Sequence, residues 1–408
     1  MSAPDRPLPR WRACCALLLA GTAAIAGAQE PSPPPTLAQA LEAAWALSPP
    51  ARALAHRQAE FDARQRAAGS LLASPPSLTL AQRSDRVGTN QGLREYEAEL
   101  GLPLWSPAVR SASAARVAAE RAAFDHQQRL ARLTLASELR ELVASAEQAA
   151  LERTLAARRH EEARVLADDV QRRVASGDTA RVDALQARAL ERQAAAQRAQ
   201  ADNALAQVQD QWRARTGLDR MPRAEETPGT PEAGHPVAAA RLAEVQATQA
   251  RLALADADRR DPVELGVGVT RERAATGSAA ESALRLSLRI PFGGDNRNAP
   301  RRAAAQAELD AAQAEFEAAQ RQTPVDIASR RSALAAARQA QSLAAERAAL
   351  AAEAQALIAK SYQLGESDLP ARLRADNERF DADLALARAR SDVQRAIARL
   401  NQSLGLLP

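Results

Sequence analysis

The four histidines, His56, His126, His160 and His235, follow one another at intervals of 34 to 75 residues, and none pairs with another at metal-ligand spacing. Imidazole and carboxylates adjoin in His160-Glu161-Glu162, where an ordinary surface histidine among acids is the simpler description than a cation site. So few histidines support no Ser/His/Asp arrangement. Gly266-Val267-Gly268 lies inside a strand-like alternation and is not followed by a helix, so it is no phosphate loop. The charged residues with a usable pattern are of another kind. Glu97 and Glu99, then Arg285 and Arg289, alternate with apolar residues, while Asp183, Asp368 and Asp376 lie close to glycine turns. Groups so placed can line a passage and select ions by charge, as rings of carboxylates do in channels. For the three aspartates, ordinary solvated or helix-N-terminal carboxylates are the competing description. No catalysis, cofactor or tightly held metal is expected.

The elements that carry these residues occur twice. Pro103 and Pro291, Gly177 and Gly365, and Gly217 and Gly405 form three pairs, each separated by 188 residues. Their surroundings agree: Leu100-Gly-Leu-Pro-Leu104 answers to Leu288-Arg-Ile-Pro-Phe292, and Thr216-Gly-Leu218 to Leu404-Gly-Leu406. Solenoid repeats run to roughly 20–50 residues, so each copy here is a substructure of its own. The offset also sets Glu97 against Arg285, opposite charges at matching positions.

The first repeat is expected over 36–218 and the second over 237–408, joined by a linker at 219–236. Thr36 is placed to cap a helix running to about 72, with an interruption at Pro49-Pro50. Strands follow at about 77–83 and 94–103, each with one apolar and one polar face. Ser106-Pro107 then opens a helical hairpin over 108–216. From 108 to 175 there are 68 residues without glycine or proline, enough for about 100 Å of helix. Gly177 ends that helix, and Asp178 or Thr179 is expected to cap the return. The second copy places strands at about 263–271 and 283–291 and a hairpin over 300–404. In it an interruption is expected at Thr323-Pro324, and Ser367 is expected as the cap of the last helix. Length, Leu/Ala periodicity and dense charge favour coiled-coil pairing of the hairpin arms.

Residues 1–28 read as a secretory leader. Arg6, Arg10 and Arg12 precede an apolar stretch from Cys14 to Ile25, and Ala26-Gly-Ala28 precedes Gln29. A Pro-rich linker fills 29–35. Cleavage removes both cysteines, which leaves no disulfide framework. It also removes three arginines and one aspartate, leaving 51 basic against 49 acidic side chains. Lys360 is the only lysine, so the high pI reflects the pKa of arginine rather than a basic patch. Nucleic-acid binding is therefore not expected. Aromatic residues make up 3% of the chain and alanine dominates, which suits long paired helices better than a thick enzyme core.

Two-faced strands in an exported chain suggest an outer-membrane β-structure, which must close because unpaired backbone is intolerable in hydrocarbon. Four strands are too few, since barrels begin at about eight. Three copies around a cyclic axis would supply twelve, with apolar positions toward lipid and Glu97, Glu99, Arg285 and Arg289 toward the lumen. Trp105, at the strand–helix junction, is a candidate interfacial aromatic or a core residue.

This plan, with the tip sequences Arg173-Val-Ala-Ser-Gly-Asp-Thr-Ala-Arg-Val-Asp-Ala-Leu185 and Tyr362-Gln-Leu-Gly-Glu-Ser-Asp-Leu-Pro-Ala-Arg-Leu373, resembles the TolC family of outer-membrane efflux proteins. The stretch Glu97-Ala-Glu-Leu-Gly-Leu-Pro-Leu-Trp-Ser-Pro107 resembles its CzcC-like, heavy-metal branch. The resemblance implies a mainly α chain with a small β part, forming a homotrimer: a 12-stranded barrel in outer-membrane lipid, continued by a periplasmic α-barrel. It implies a periplasmic adaptor and an inner-membrane pump as partners, and heavy-metal cations or other toxic small molecules as cargo. Carried onto this chain, the adaptor contacts are Val174, Ser176, Gly177 and Asp178 in the first tip, and Leu364, Gly365 and Glu366 in the second. For each tip glycine, simple helix termination is the alternative. A periplasmic coiled-coil adaptor or structural protein is the other functional class, but it has no need of two amphipathic β-hairpins.

Overall fold

The computed structural model describes residues 33–408 apart from 224, 232, 233 and 294, and the side chains of these residues apart from 295–297. The expected leader over 1–28 and the first residues of the Pro-rich linker lie outside the described residues.

Thr36 caps α1 (Leu37–Leu47) through a reciprocal box in which its hydroxyl accepts from the Gln39 N–H and the Gln39 side chain accepts from the Thr36 N–H. Ser48 closes this helix and opens the next: its hydroxyl donates to the Trp45 carbonyl at 2.7 Å and accepts from the Ala51 N–H at 3.4 Å. Pro49, at the first position of α2 (Pro49–Gly69), is harmless there because that N–H needs no helical partner. The proline pair thus divides the expected helix into two. By the 188-residue offset Pro49 corresponds to Val237 at the start of α5 (Pro236–Ala257), so among the described residues α1 has no helical counterpart in the second half.

Four strands form one antiparallel sheet in the order β1 (Ser77–Ser84), β2 (Arg94–Leu104), β3 (Val263–Arg273), β4 (Glu281–Arg289). The two hairpins meet through β2 and β3, with Leu100 opposite Val267, and β1 and β4 are left as unpaired edges. From β2 the chain enters α3 (Pro107–Ala175) and returns in α4 (Arg181–Thr216); from β4 it enters α6 (Asp295–Gln363) and returns in α7 (Leu369–Ser403). Both outgoing helices have 69 residues, about 100 Å each. No helix of the described residues is long and apolar enough to cross a membrane.

Three local expectations are corrected. α6 continues through Pro324 instead of breaking. Gln320, whose carbonyl loses its donor to the proline, is exposed like Pro324, and the Thr323 hydroxyl donates to the Ala319 carbonyl at 2.8 Å. Neither Asp178 nor Thr179 caps α4, whose N-cap is Ala180; Asp178 is taken up by the Ser176 hydroxyl at 2.6 Å. In the second hairpin the cap of α7 is Asp368, which accepts from the Ala371 N–H at 2.9 Å, and not Ser367.

The helices are held by small apolar contacts rather than one thick core. Ala348 and Ala351 of α6 pack on Ala382 of α7, and Ala123 of α3 on Ala243 and Ala247 of α5. Alanine lets helix axes approach closely. A larger cluster around Trp212, Leu139 and Val143 receives Leu41 and Ala44 of α1, and a second gathers Leu334, Val393, Ile397 and Leu400. Between these lies a buried polar knot. Arg140 donates to Glu226 at 2.9 Å, to Gln402 at 3.0 Å and to the Leu406 carbonyl at 3.0 Å. Asn401 donates to Glu226 and to the Thr227 carbonyl, and accepts from the Gly229 N–H. The knot ties the inter-repeat linker and the end of α7 to the middle of α3.

Candidate functional site: hairpin tips and sheet

At each tip the outgoing helix ends in the same backbone motif. Gly177 has φ +87° and Gly365 φ +78°, conformations that favour a residue without Cβ. The N–H of the following residue reaches back five positions, from Asp178 to the Arg173 carbonyl at 2.9 Å and from Glu366 to the Ser361 carbonyl at 3.0 Å. A Cβ on either glycine would meet nothing within 4 Å, so the immediate space around both is open.

The two tips are locked side by side. Tyr362 of α6 is buried among Val170, Ala184, Ala187 and Leu369, with Val174 and Leu373 packed against the cluster. The Arg173 guanidinium stands 5.1 Å above the Tyr362 ring, and Asp169 fixes that arginine at 3.0 Å. Burial pushes the Tyr362 phenol above its ordinary pKa, so it stays neutral throughout the physiological range. This pair of side chains, from different repeats, is a feature that sequence reasoning missed. So are Val182 and Leu185, both exposed, on the outer side of the first turns of α4.

Of the expected adaptor contacts, Ser176, Gly177, Asp178, Leu364, Gly365 and Glu366 are exposed at the tips, whereas Val174 is half-buried against the tip cluster. The three aspartates occupy three settings. Asp183 is half-buried in the first turn of α4, Asp368 is spent as an N-cap, and Asp376 accepts from Arg372 at 2.9 Å and from Gln355 at 2.8 Å. Within one chain they form no single cluster, and no group of three metal-ligating side chains is found among the described residues.

The sheet has two unlike faces. On one, Leu78, Leu100, Val267 and Leu286 form a row across all four strands; Leu80, Ala98, Val269 and Leu284 form the next, and Leu102, Leu265 and Leu288 a third. Most of these side chains are exposed; Leu284 reaches 78% and Leu286 72%. The other face is polar. Glu97 is ion-paired with Arg285, Glu99 accepts from the Ser287 hydroxyl at 2.6 Å, and Glu264 lies 3.4 Å from Arg289. The carboxylates cross the sheet over glycines: a Cβ on Gly266 would strike the Glu99 carboxylate and the Ser287 hydroxyl. Glu97, Glu99, Arg285 and Arg289 therefore share one face, on which Glu97 pairs with Arg285 while Glu99 is taken by Ser287 and Arg289 lies beside Glu264. Trp105, beside the sheet, is half-buried, and its indole N–H points to the Ser70 hydroxyl at 3.5 Å.

Residues 233–406 match the family model described as outer membrane efflux protein. Among curated proteins, none matches the chain by sequence. Solved structures share its fold. A membrane protein from Pseudomonas aeruginosa superposes with a TM-score of 0.73 at 18% identity, covering 90% of each chain. The outer membrane protein VceC from Vibrio cholerae gives 0.72 at 17% identity over 90% of this chain and 96% of its own. CusC, whose structures concern folding and transmembrane channel formation, gives 0.73 at 16% identity over 90% of this chain and 91% of its own.

Proposed function

We propose that this chain, whose residues 233–406 match the outer membrane efflux protein model, is a member of that family, acts as the exit duct of a three-part export system and works as a homotrimer. The observation that carries the trimer is the sheet: an exposed apolar face on a four-stranded unit whose edges, β1 and β4, have no partner. Such edges are intolerable in hydrocarbon unless they close. Three copies supply twelve strands, within the range of membrane barrels. The apolar rows then face lipid, and Glu97, Glu99, Arg285 and Arg289 face the lumen. The helices also leave a surface for a neighbouring copy. On α6, exposed Leu343, Leu350 and Leu357 recur at seven-residue spacing, a seam left open for a helix of the next copy.

The paired tips are the end that meets a periplasmic adaptor, which in turn joins an inner-membrane pump. Val174, Ser176, Gly177, Asp178, Leu364, Gly365 and Glu366 are the contact residues, and exposed Leu364, Val182 and Leu185 supply the apolar part of that surface. In the trimer Asp183, Asp368 and Asp376 line the narrow end of the passage. Heavy-metal cations or other toxic small molecules are the cargo, delivered by the pump.

The double variant Gly177→Asn, Gly365→Asn tests the tips. Asparagine tolerates positive φ but brings a side chain to the point of contact. The variant is expected to accumulate in the outer membrane like the parent and to export poorly. The readout is intracellular retention of a metal cation and of an organic dye in cells lacking the native chain. Parental export by this variant would reduce both glycines to helix terminators.

A further inference from the structure

We propose that the outward face of the sheet carries a binding site for the phosphates of a glycolipid in the outer leaflet, formed by Arg94, Arg271 and Arg273. The inference rests on the outer-membrane reading above. The strand register places these residues on the same face as the leucine rows. Continuing from the Leu80–Ala98–Val269–Leu284 row toward the turns, the next row is Gln82, Tyr96, Arg271 and Ser282, and after it come Ser84, Arg94 and Arg273. The apolar band thus gives way within one row to an exposed tyrosine and within two rows to three arginines. That sequence of apolar, aromatic and cationic residues is what a hydrocarbon–headgroup boundary selects.

Four observations point to an anion rather than to a merely solvated edge. Arg94 and Arg273 are directly opposite each other across β2 and β3, where like charges repel unless a counter-charge bridges them. Among the described residues none of the three arginines has a carboxylate partner, although arginines elsewhere in the chain are widely paired. The Nε of Arg273 is screened from solvent and has no hydrogen-bond partner. Finally, the acids at this level are on the wrong face. Glu95, Glu272 and Glu281 alternate to the polar side, and the Asp85 carboxylate is occupied by the N–H groups of Gln91 and Gly92 and by the Thr89 hydroxyl. Outward-facing neighbours Gln82, Ser84 and Ser282 are uncharged.

The side of the membrane follows from the chain path. The helices leave the sheet at the end carrying Leu104 and Arg289, and the arginines sit at the opposite end, beside the turns at 85–93 and 274–280. With the helices in the periplasm, that end meets the outer leaflet. A guanidinium presents paired N–H donors that match phosphate oxygens, so adjacent arginines suit a phosphorylated sugar headgroup.

The test uses the intact protein extracted from outer membranes in mild detergent, stripped of lipid and titrated with bis-phosphorylated lipid A or its dephosphorylated counterpart, with bound lipid read by native mass spectrometry. The parent is expected to retain the phosphorylated form and to bind the dephosphorylated one on the order of 100-fold more weakly, from the effect of three basic groups at an anionic surface. The Arg94→Gln, Arg271→Gln, Arg273→Gln variant should lose this preference, and the corresponding triple Lys variant should keep most of it. Arg83→Gln, on the polar face, should change nothing. Equal binding of the two lipids by the parent overturns the proposal even if the glutamine variant fails to assemble, and so does unchanged preference in that variant. A parent protein found in the outer membrane but indifferent to phosphate sinks this site alone; absence of the parent from the outer membrane sinks the pore reading with it.

Discussion

Leu286→Arg is expected to remove the protein from the outer membrane fraction while its long helices keep their pairing. Leu286 is 72% exposed in the isolated chain and lies in the row with Leu78, Leu100 and Val267, the middle of the apolar face. An arginine on the lipid face near the bilayer midplane costs roughly 2–4 kcal/mol. In a trimer that cost recurs in each copy, giving roughly 6–12 kcal/mol per barrel, which exceeds or consumes the stability of an ordinary fold. The control is Thr79→Arg. Thr79 is opposite Glu99 on the polar face, so an arginine there meets a carboxylate and should be accepted. Membrane fractionation of the two variants reads the result. Equal insertion of both would mean that the leucine rows do not face lipid.

The second large effect is expected at Arg140, which is 5% exposed. Its guanidinium satisfies Glu226, the Gln402 side chain and the Leu406 carbonyl together. Arg140→Ala leaves the Glu226 carboxylate without its cation and a carbonyl without its donor. Breaking one side of a buried pair costs about 3–5 kcal/mol, and the partial exposure of Glu226 places this case toward the lower end. Loss should appear first as release of the C-terminal segment and the linker around 226–229, seen as new proteolytic cuts there, followed by a lower melting temperature. Arg140→Met with Glu226→Leu should recover part of the loss, because removing both charges avoids the stranded carboxylate. A double variant no more stable than Arg140→Ala would mean that packing, not charge, is what Arg140 supplies.

Much of this was legible in the sequence for a simple physical reason: strand alternation and helix termination are local. Leu284, Leu286 and Leu288 against Arg285, Ser287 and Arg289 define two faces whatever surrounds them. Gly177 and Gly365 mark turns because their backbone conformation is costly for other residues. Local signals failed where competing partners were close. Ser176 captures Asp178 and so removes it as a cap, and Asp368 outcompetes its neighbour Ser367 because its carboxylate reaches the Ala371 N–H. Pro324 does not break α6, since the orphaned carbonyl lies on an exposed stretch. Contacts between the repeats were out of reach altogether. Nothing in the sequence near Arg173 announces Tyr362, and nothing near Arg140 announces Glu226 or Leu406. The sorting of Arg94, Arg271 and Arg273 away from Glu95 and Glu272 became visible only once β2 and β3 were in register.

The most direct test of the account is the native mass of the protein extracted in mild detergent from isolated outer membranes. The account predicts three copies of the processed chain in that fraction, closing twelve strands. A soluble monomer or dimer confined to the periplasm would contradict it, because the exposed leucine face and the open edges at β1 and β4 would then have no membrane to explain them.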